Sequence, residues 1–235
     1  MENKKTKVAI VLVILLIIAL ISVSYFYNDF NSKQVTLLTQ ELNEILDADL
    51  KEDSINFDIK TEKNYAEVEK IIKEYISRLK NIYVEMEEIV SGINPNIIFS
   101  TQNIPEKNLD EIDDIINEYK EKSQNLILEY ETLTTEENII KNINDANITT
   151  RKDYYVELYN EVMLSQKMKN KFENLEEDIK NEKARLYDKL NKIEKIKEFL
   201  EENVDSWIIN EDGKIEFVNS YKFTQYHNLL NQLTD

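Results

Sequence analysis

Carboxylates are the commonest side chains in this sequence that could do chemistry. The chain has 46 of them, with dense runs at residues 110–114 and 173–178. Paired carboxylates can act as general acid and general base, as they do in glycoside hydrolysis. With so many acidic residues, however, pairs at helical spacing arise by chance. We therefore expect these runs to form solvated helix faces, and the sequence predicts no catalytic residue.

The other residue types that support catalysis or bind metals are scarce. The chain has no cysteine, a single histidine (His227) and two widely separated glycines, Gly92 and Gly213. A zinc cluster needs several cysteines or histidines, and phosphate-binding loops need glycines placed close together. Residues 210–213 resemble the turn of a calcium loop but lack its distal glutamate. The sequence therefore predicts a protein that is not an enzyme, with no metal site and no cofactor.

Aromatic side chains are the remaining candidates for binding. The chain has 13 tyrosines and one tryptophan. Tyrosine combines a large apolar face with a polar tip, which suits a partner-binding surface and equally suits a thin helical core. An aromatic cluster near the C-terminus could also hold a hairpin on a helix. We single out six residues as candidates for partner binding: Tyr154, Tyr155, Tyr159, Trp207, Phe217 and Tyr226.

The scarcity of turn-forming residues determines the fold class. The chain has two glycines and two prolines. Sandwiches and barrels need a turn about every 8–12 residues, and those turns draw on glycine and proline. The sequence therefore predicts an all-α protein.

The clearest helical pattern lies between residues 62 and 91. Apolar residues recur there at alternating spacings of three and four, as in a coiled-coil-type helix. Thr61 is a candidate N-cap, and Gly92 is a typical stop. A shorter amphipathic helix is predicted at 35–46, with a loop from 47 to 60.

Two further long helices follow in the sequence. One begins near Pro105 and either continues to about residue 145 or gives way to a new helix capped by Thr134. Another begins at Thr150 and is predicted to run for about 50 residues, although its apolar spacing slips near Met168. The segments that connect these predicted helices are long enough to let successive helices fold back antiparallel.

The C-terminal residues change in character. Residues 207–209 and 215–218 are predicted to form two short strands around an Asp-Gly turn, followed by a helix at about 221–233. An isolated hairpin is not stable in water, so it must pack on other elements. The sequence as a whole predicts an elongated antiparallel bundle of three or four long helices over residues 28–203. We expect the hairpin and terminal helix of residues 204–235 to pack on it.

The N-terminal residues predict an anchor in the cell membrane. No charged residue occurs from Val8 to Tyr27, which is the length needed to cross the hydrocarbon layer as a helix. Three lysines lie in the tail of residues 1–7, so the positive-inside rule places that tail in the cytoplasm and residues 28–235 outside. The alternative is a signal peptide cleaved after Ser24, which would release a secreted protein.

The charge balance limits the class of partner. The net charge is −17 at pH 7, and residues 1–27 hold three lysines but one glutamate, so the exported part is more acidic still. Nucleic acid is therefore a poor partner, because phosphate binding needs a basic patch. We expect anionic lipid surfaces to repel the exported part as a whole.

These features favour a non-enzymatic interaction or scaffold module at the cell envelope. Its expected partners are the membrane and envelope proteins, and a homo-oligomer is a further expectation. In outline, a span followed by a helical bundle is similar to the periplasmic four-helix domains of bacterial chemoreceptors and sensor kinases. That resemblance implies a sensory or ligand-binding bundle as the alternative. Those proteins also have a second span and a cytoplasmic output domain, so a sensor of the present kind would signal through a membrane partner.

Overall fold

The computed structural model describes residues 2–51 and 55–234, with side chains from residue 22 onward except those of residues 23, 25 and 234. The described part is mostly helical (76%) and contains one two-stranded antiparallel hairpin near the C-terminus, followed by a final helix. The predicted helical fold with a C-terminal hairpin and helix is therefore confirmed.

Eight α-helices and two strands follow one another along the described chain. Two short 3₁₀ turns accompany them, at Pro105–Lys107 and Val204–Ser206. The elements are α1 (Glu2–Asp47), α2 (Asn64–Ser91), α3 (Pro95–Ile98), α4 (Asp110–Leu133), α5 (Glu136–Asn144), α6 (Lys152–Met163), α7 (Gln166–Glu202), β1 (Trp207–Ile209), β2 (Ile215–Phe217) and α8 (Ser220–Thr234).

The first helix, α1, contains both the predicted membrane span and the predicted helix at 35–46. The second of these predictions is confirmed, because α1 continues unbroken to Asp47. Most side chains of the span at residues 8–27 lie outside the described residues, and the structure gives no support for the anchor, which stays a prediction. Within the part of the chain that the structure describes, no helix combines the length and the apolar character needed to cross a bilayer.

Helix α2 confirms the clearest sequence prediction, except at its N-terminus. It ends at Ser91, next to Gly92, as expected. Thr61 is not its N-cap, because the Thr61 hydroxyl donates to Glu69 Oε2 at 2.7 Å instead. The residue that precedes the helix is Lys63, which has a left-handed backbone with φ of 56°. This conformation turns the chain sharply into the helix.

The second long helix ends before residue 145. Helix α4 stops at Leu133, and α5 begins as a separate helix at Glu136, so the new-helix alternative is confirmed. The capping residue is Thr135 and not Thr134, because the Thr135 hydroxyl accepts from the Asn138 N–H at 3.3 Å. Pro105 opens a 3₁₀ turn, and α4 itself begins five residues later.

The single helix of about 50 residues expected after Thr150 is wrong, because α6 and α7 are separate. The break falls at Leu164 and Ser165, where the Leu164 N–H still bonds to the Asn160 carbonyl at 2.9 Å but the regular ladder then stops. The break lies within four residues of Met168, where the apolar spacing slips. Two helices can each turn an apolar face to their own neighbours, which one straight helix with this spacing could not do.

Contacts along the chain divide it into two compact units. Unit 1 consists of Met1–Asp49, Asp53–Tyr75 and Ile140–Ser165. Its core is formed by the second half of α1, the first half of α2 and helix α6. Completely or almost completely buried members are Leu38, Leu42, Ile45, Tyr65, Val68, Ile72, Tyr159 and Met163.

Unit 2 consists of Leu50–Glu52, Ile76–Ile139 and Gln166–Asp235. Helices α4 and α8 both pack against α7, and β2 packs against α8. The core includes Ile104, Ile112, Leu186, Leu190, Ile193 and Trp207, all completely buried. Ser123, the polar residue on the apolar face of α4, is also buried and satisfies its hydroxyl by donating to the Lys120 carbonyl at 2.9 Å.

The hairpin has the predicted strands and the predicted turn. Trp207 pairs with Phe217, Ile208 with Glu216 and Ile209 with Ile215. Gly213 closes the turn with φ of 76°, a backbone conformation that glycine adopts readily and that residues with a Cβ atom disfavour. A Cβ atom at this position would also lie 3.2 Å from the Thr101 hydroxyl, a tight contact that adds to the backbone preference for glycine.

Candidate interaction surfaces

Tyr154 and Tyr155 belong to a cluster of three tyrosines in unit 1. Their ring centroids are 5.1 Å apart, and the Tyr65 ring packs edge-on against them at 6.4 and 5.0 Å. Tyr65 and Tyr155 are buried, and burial raises the pKa of both hydroxyls. Tyr154 is half-buried, with the Arg151 guanidinium 4.6 Å from its ring centroid. Of the three rings, that of Tyr154 is the one a partner could reach.

Tyr159 lies about one turn further along α6 and is completely buried. Burial raises the pKa of its hydroxyl to about 12. The nearby Asn142 side chain opposes this shift but does not reach hydrogen-bonding geometry, so the hydroxyl has no partner among the described residues. A buried and unsatisfied hydroxyl costs about 1–3 kcal/mol. The surroundings are those of a core residue.

Trp207, Phe217 and Tyr226 come together inside unit 2. The Trp207 ring is completely buried, and its Nε1 donates to the Leu200 carbonyl at 2.9 Å. The Lys107 ammonium lies 4.9 Å from the same ring. Phe217 is half-buried and packs against Tyr226 at 5.4 Å, and Tyr226 is buried. The three rings therefore fix the hairpin and α8 on α7, which leaves little of their surface for a partner.

Exposed apolar side chains of unit 2 lie next to this buried cluster in the sequence. The side chain of Ile208 is 50% exposed because β1 alternates, with Trp207 pointing inward and Ile208 outward. Val218, immediately after β2, is 82% exposed, and Tyr221 and Phe223 in the first turn of α8 are 67% and 42% exposed. We call these four residues the hairpin surface. An exposed apolar patch is typical of contact sites, so these four residues are a candidate contact site.

Three charged side chains form what we call the ion cluster of unit 1: Glu41, Glu69 and Lys73. Lys73 Nζ lies 2.6 Å from Glu69 Oε1 and 2.8 Å from Glu41 Oε2. It also donates to the Asp58 carbonyl at 2.6 Å. Lys73 is 1% exposed and Glu69 is 0% exposed. Charges this deeply buried are tolerated because they are paired and hydrogen-bonded.

The loop before α2 supplies the remaining hydrogen bonds of Glu69. The N–H groups of Lys60 and Thr61 and the Thr61 hydroxyl all donate to its carboxylate, at 2.7–3.1 Å. Burial alone would raise the pKa of Glu69, but the bonds from Lys73 and Thr61 outweigh it and hold the pKa below its usual value. Burial likewise acts to lower the pKa of Lys73, yet Glu41 and Glu69 hold it above its usual value. The folded chain therefore keeps both groups charged.

This arrangement predicts that the contribution of Glu69 to stability depends on pH. Because the pKa of Glu69 is lowered on folding, its contribution is complete above the unfolded pKa of about 4.3 and is lost as pH falls through the folded value. We expect Glu69→Gln to lower the free energy of unfolding by about 1.5–3 kcal/mol at neutral pH, the usual range for a hydrogen-bonded charge. The difference from wild type should narrow steadily in acid, as measured by urea denaturation across the acid range.

Glu74→Gln is the matched control for that pH series. Glu74 lies on the same helix and faces Lys70 at the same spacing, but both side chains are more than half exposed. Its effect should be small at every pH. The prediction would be contradicted if the difference in free energy of unfolding between wild type and Glu69→Gln stayed constant down to the most acidic condition.

A groove of about 540 Å³ lies on unit 2, between α2 and α4. Arg78 lines it and is held by two carboxylates, with Nη1 2.7 Å from Glu85 Oε1 and two further bonds to Glu129. The hydrogen bonds from Arg78 hold the pKa of Glu129 below its usual value. Tyr119 and Leu126 supply apolar surface in the same groove. An anionic ligand would have to displace one of the carboxylates to reach the guanidinium.

The dense carboxylate runs do not come together as a metal site. Among the side chains that the structure describes, no three histidine or acidic residues are placed so that they could hold a metal ion. His227 lies on α8 with its ring 4.5 Å from that of Phe223, in an edge-on contact.

Sequence reasoning missed the ion cluster and the Arg78 groove. A signal for the cluster was present, because Glu69 and Lys73 are spaced as a helical i, i+4 pair and each immediately follows an apolar position of α2, Val68 and Ile72 respectively. With Ile76, they form a second buried stripe beside the predicted one. The Arg78 groove had no such signal, since Arg78 and Glu129 are far apart in the sequence.

Comparisons with known proteins give no relative from which a site could be transferred. No family model matches the chain, and the searches of curated proteins and of solved structures return no match. The geometry described above is therefore the basis for any functional conclusion.

Proposed function

We propose that this chain is a non-enzymatic interaction module of the cell envelope. Residues 8–27 anchor it in the membrane, residues 1–7 lie in the cytoplasm, and residues 28–235 are outside. The charge pattern of the N-terminal residues supports this orientation, since three lysines precede a segment with no charge. The protein presents its folded helices to partners in the envelope.

The observation that carries this proposal is the continuity of α1. This helix of 46 residues joins the uncharged segment directly to the buried face of unit 1 formed by Leu38, Leu42 and Ile45. At about 1.5 Å per residue it is roughly 69 Å long, more than twice the thickness of the hydrocarbon layer. One helix is thus long enough to span the bilayer and to pack in the core of unit 1. The anchor holds unit 1 through a helix, without a flexible linker.

The surface best suited to an envelope protein partner is the hairpin surface. Its four apolar residues are exposed, while the neighbouring Trp207 and Tyr226 fix the backbone from beneath. Such preorganisation limits the entropy lost on binding. A second copy of this chain is one partner that fits, as an apolar surface can be self-complementary.

A ligand-binding or sensory role is the second candidate. The Arg78 groove supports it, because a volume of about 540 Å³ is in the range of small-molecule sites. The Arg78 guanidinium is already paired with Glu85 and Glu129, so a free ligand would have to compete with these carboxylates. This pairing weighs against the ligand-binding role. The interaction role therefore remains the first proposal.

The orientation can be tested with cysteine labelling, because the chain has no cysteine of its own. Glu211→Cys places a single thiol at the exposed hairpin turn. In cells of a bacterial expression host, we expect this thiol to react with a membrane-impermeant maleimide before lysis. The matched control is Asn3→Cys, in the predicted cytoplasmic tail, which should react only after lysis. The labelled protein should have its full-length mass and stay in the membrane fraction.

Two outcomes would contradict the proposed orientation. Protection of the thiol at position 211 until lysis would place the folded part inside the cell. A soluble exported protein whose mass begins at Tyr25 would mean that the N-terminal segment is a cleaved signal. The protein would then act as a secreted helical binding protein.

A further inference from the structure

Basic side chains gather at the point where α1 leaves the predicted membrane segment. Arg151 Nη1 donates to the hydroxyl of Tyr27, the last residue of that segment, at 3.3 Å. The Lys63 ammonium lies 4.2 Å from the ring centroid of Phe30, less than one turn further along α1. Lys152 follows Arg151 directly, and all three cations are exposed. We call Lys63, Arg151 and Lys152 the basic collar.

Packing within unit 1 fixes the basic collar in place. Asn64 Nδ2 donates to the carbonyl and to the hydroxyl of Thr150, at 3.0 and 3.1 Å. These bonds join the N-terminus of α2 to that of α6. Lys63 and Arg151, which precede the two helices, both have left-handed backbones with φ of 56° and 52°. Two distant parts of the sequence thus place their basic residues beside the same stretch of α1.

The contacts of the basic collar leave its positive charge in place. Lys63 faces an aromatic ring, Arg151 contacts the Tyr27 hydroxyl and the Tyr154 ring, and Lys152 donates to the Asn144 carbonyl at 2.6 Å. Rings, hydroxyls and carbonyls are uncharged groups. Arg78 and Lys197, by contrast, are held by carboxylates.

Acidic residues also occur near the basic collar, but they do not outnumber the cations. Asp29, Glu62, Glu67 and Asp153 are the nearest acidic residues in the sequence, and Asp29 is paired with Lys33 at 2.8 Å. Lys60 adds another cation on the loop before α2. The net charge of the whole chain is −17. At physiological ionic strength the screening length is about 8 Å, so nearby charges decide what this surface attracts.

We propose that the basic collar lies against the anionic headgroups of the bilayer that holds residues 8–27. This inference rests on the proposed anchoring and adds a second contact with the same membrane. The side chains of Phe26 and Tyr27 are 70% and 48% exposed, as expected for aromatic residues at the headgroup level. Lysine and arginine next to a membrane segment attract anionic lipids within a screening length. The acidic remainder of the chain is repelled, so unit 1 is held with its collar towards the membrane.

The test uses the full-length protein in lipid vesicles, with one fluorophore near the collar. Thr149→Cys provides an exposed and unique attachment site two residues from Arg151. Vesicles contain phosphatidylcholine alone or with phosphatidylglycerol, plus a lipid that carries a quencher on its headgroup. We expect stronger quenching with phosphatidylglycerol and loss of the difference in about 1 M salt, where the screening length falls to about 3 Å.

The collar variant for this test is Lys63→Glu with Lys152→Glu. We expect it to lower the population close to anionic headgroups by at least about fivefold per residue, the effect typical of one cation near an anionic membrane. Its quenching should match that in phosphatidylcholine alone. The charge-matched control, Lys169→Glu with Lys195→Glu, changes two exposed lysines of α7 in unit 2 and should behave as wild type. Circular dichroism checks that each variant is folded.

Flotation of the same vesicles separates failure of the collar from failure of the anchor. If the protein floats with both vesicle types and shows the same quenching with and without phosphatidylglycerol, that result would support the anchor and overturn the collar inference. Equal losses of quenching in the collar variant and the control variant would also overturn the inference. Quenching would then depend on the total charge of the protein and not on the position of the cations. If the protein floats with neither vesicle type, the proposed anchoring fails and the inference fails with it.

Discussion

Replacing Lys73 with alanine is expected to lower the free energy of unfolding by about 3–5 kcal/mol, the usual cost of breaking a buried ion pair. The variant leaves the Glu69 carboxylate at 0% exposure without its ammonium partner, and it also leaves the Asp58 carbonyl without its donor. The cost therefore comes mainly from an uncompensated buried charge and less from lost attraction. Urea denaturation of the full-length protein in detergent, followed by circular dichroism, measures it.

The chain contains a matched control for Lys73 on the same helix. Lys70 faces Glu74 with the same i, i+4 spacing, but their side chains are 52% and 67% exposed. Lys70→Ala should cost no more than about 0.5 kcal/mol, because exposed helical pairs contribute little. A double variant, Glu69→Gln with Lys73→Met, removes both buried charges and should recover part of the loss. If Lys73→Ala and Lys70→Ala lowered the free energy of unfolding equally, the conclusion that the ion cluster is buried would be contradicted.

Replacing Trp207 with alanine is expected to cost about 3–5 kcal/mol, the range for truncating a large buried aromatic residue. The ring is completely buried in the core of unit 2, its Nε1 is bonded to Leu200, and the Lys107 ammonium packs over it. Because the hairpin is short, it depends on this contact for its position. We expect lower stability to urea and new protease cleavage within residues 204–235.

Two other substitutions define what Trp207 contributes. Trp207→Phe keeps most of the ring volume but leaves the Leu200 carbonyl without its donor. Its loss of unfolding free energy should therefore lie between zero and that of Trp207→Ala. Tyr221→Ala removes a ring that is 67% exposed and should change stability by no more than about 0.5 kcal/mol. If Tyr221→Ala destabilised the protein as strongly as Trp207→Ala, the division into buried anchor and exposed surface would be wrong.

The sequence predicts those elements whose signals are local. Helix α2 has an apolar residue at every expected position and a glycine at its end, so both its existence and its C-terminus could be read directly. The hairpin has an Asp-Gly turn between two apolar runs, and Gly213 has the left-handed backbone that such a turn needs. The break at Leu164 and Ser165 has a weaker local signal, because the apolar spacing slips near Met168 but neither glycine nor proline occurs there.

The candidate surfaces are less predictable, because residue type does not reveal exposure. The sequence identifies Trp207 as a candidate contact, yet its ring is buried while that of Tyr221, which the prediction omits, is exposed. The basic collar is a further example. Lys63 and Arg151 are far apart in the sequence, and tertiary contacts such as the bonds from Asn64 to Thr150 bring them to one stretch of α1.

The interleaving of the two units has a consequence for the order in which the chain folds. Unit 1 needs Ile140–Ser165, which is synthesised after most of the helices of unit 2 have begun. At about 5–20 residues per second, unit 1 waits several seconds between its second and third segments. During that delay the apolar faces of α1 and α2 have no α6 to cover them. All three members of the ion cluster belong to the first two segments, so they can hold this early helix pair in register until the last segment arrives.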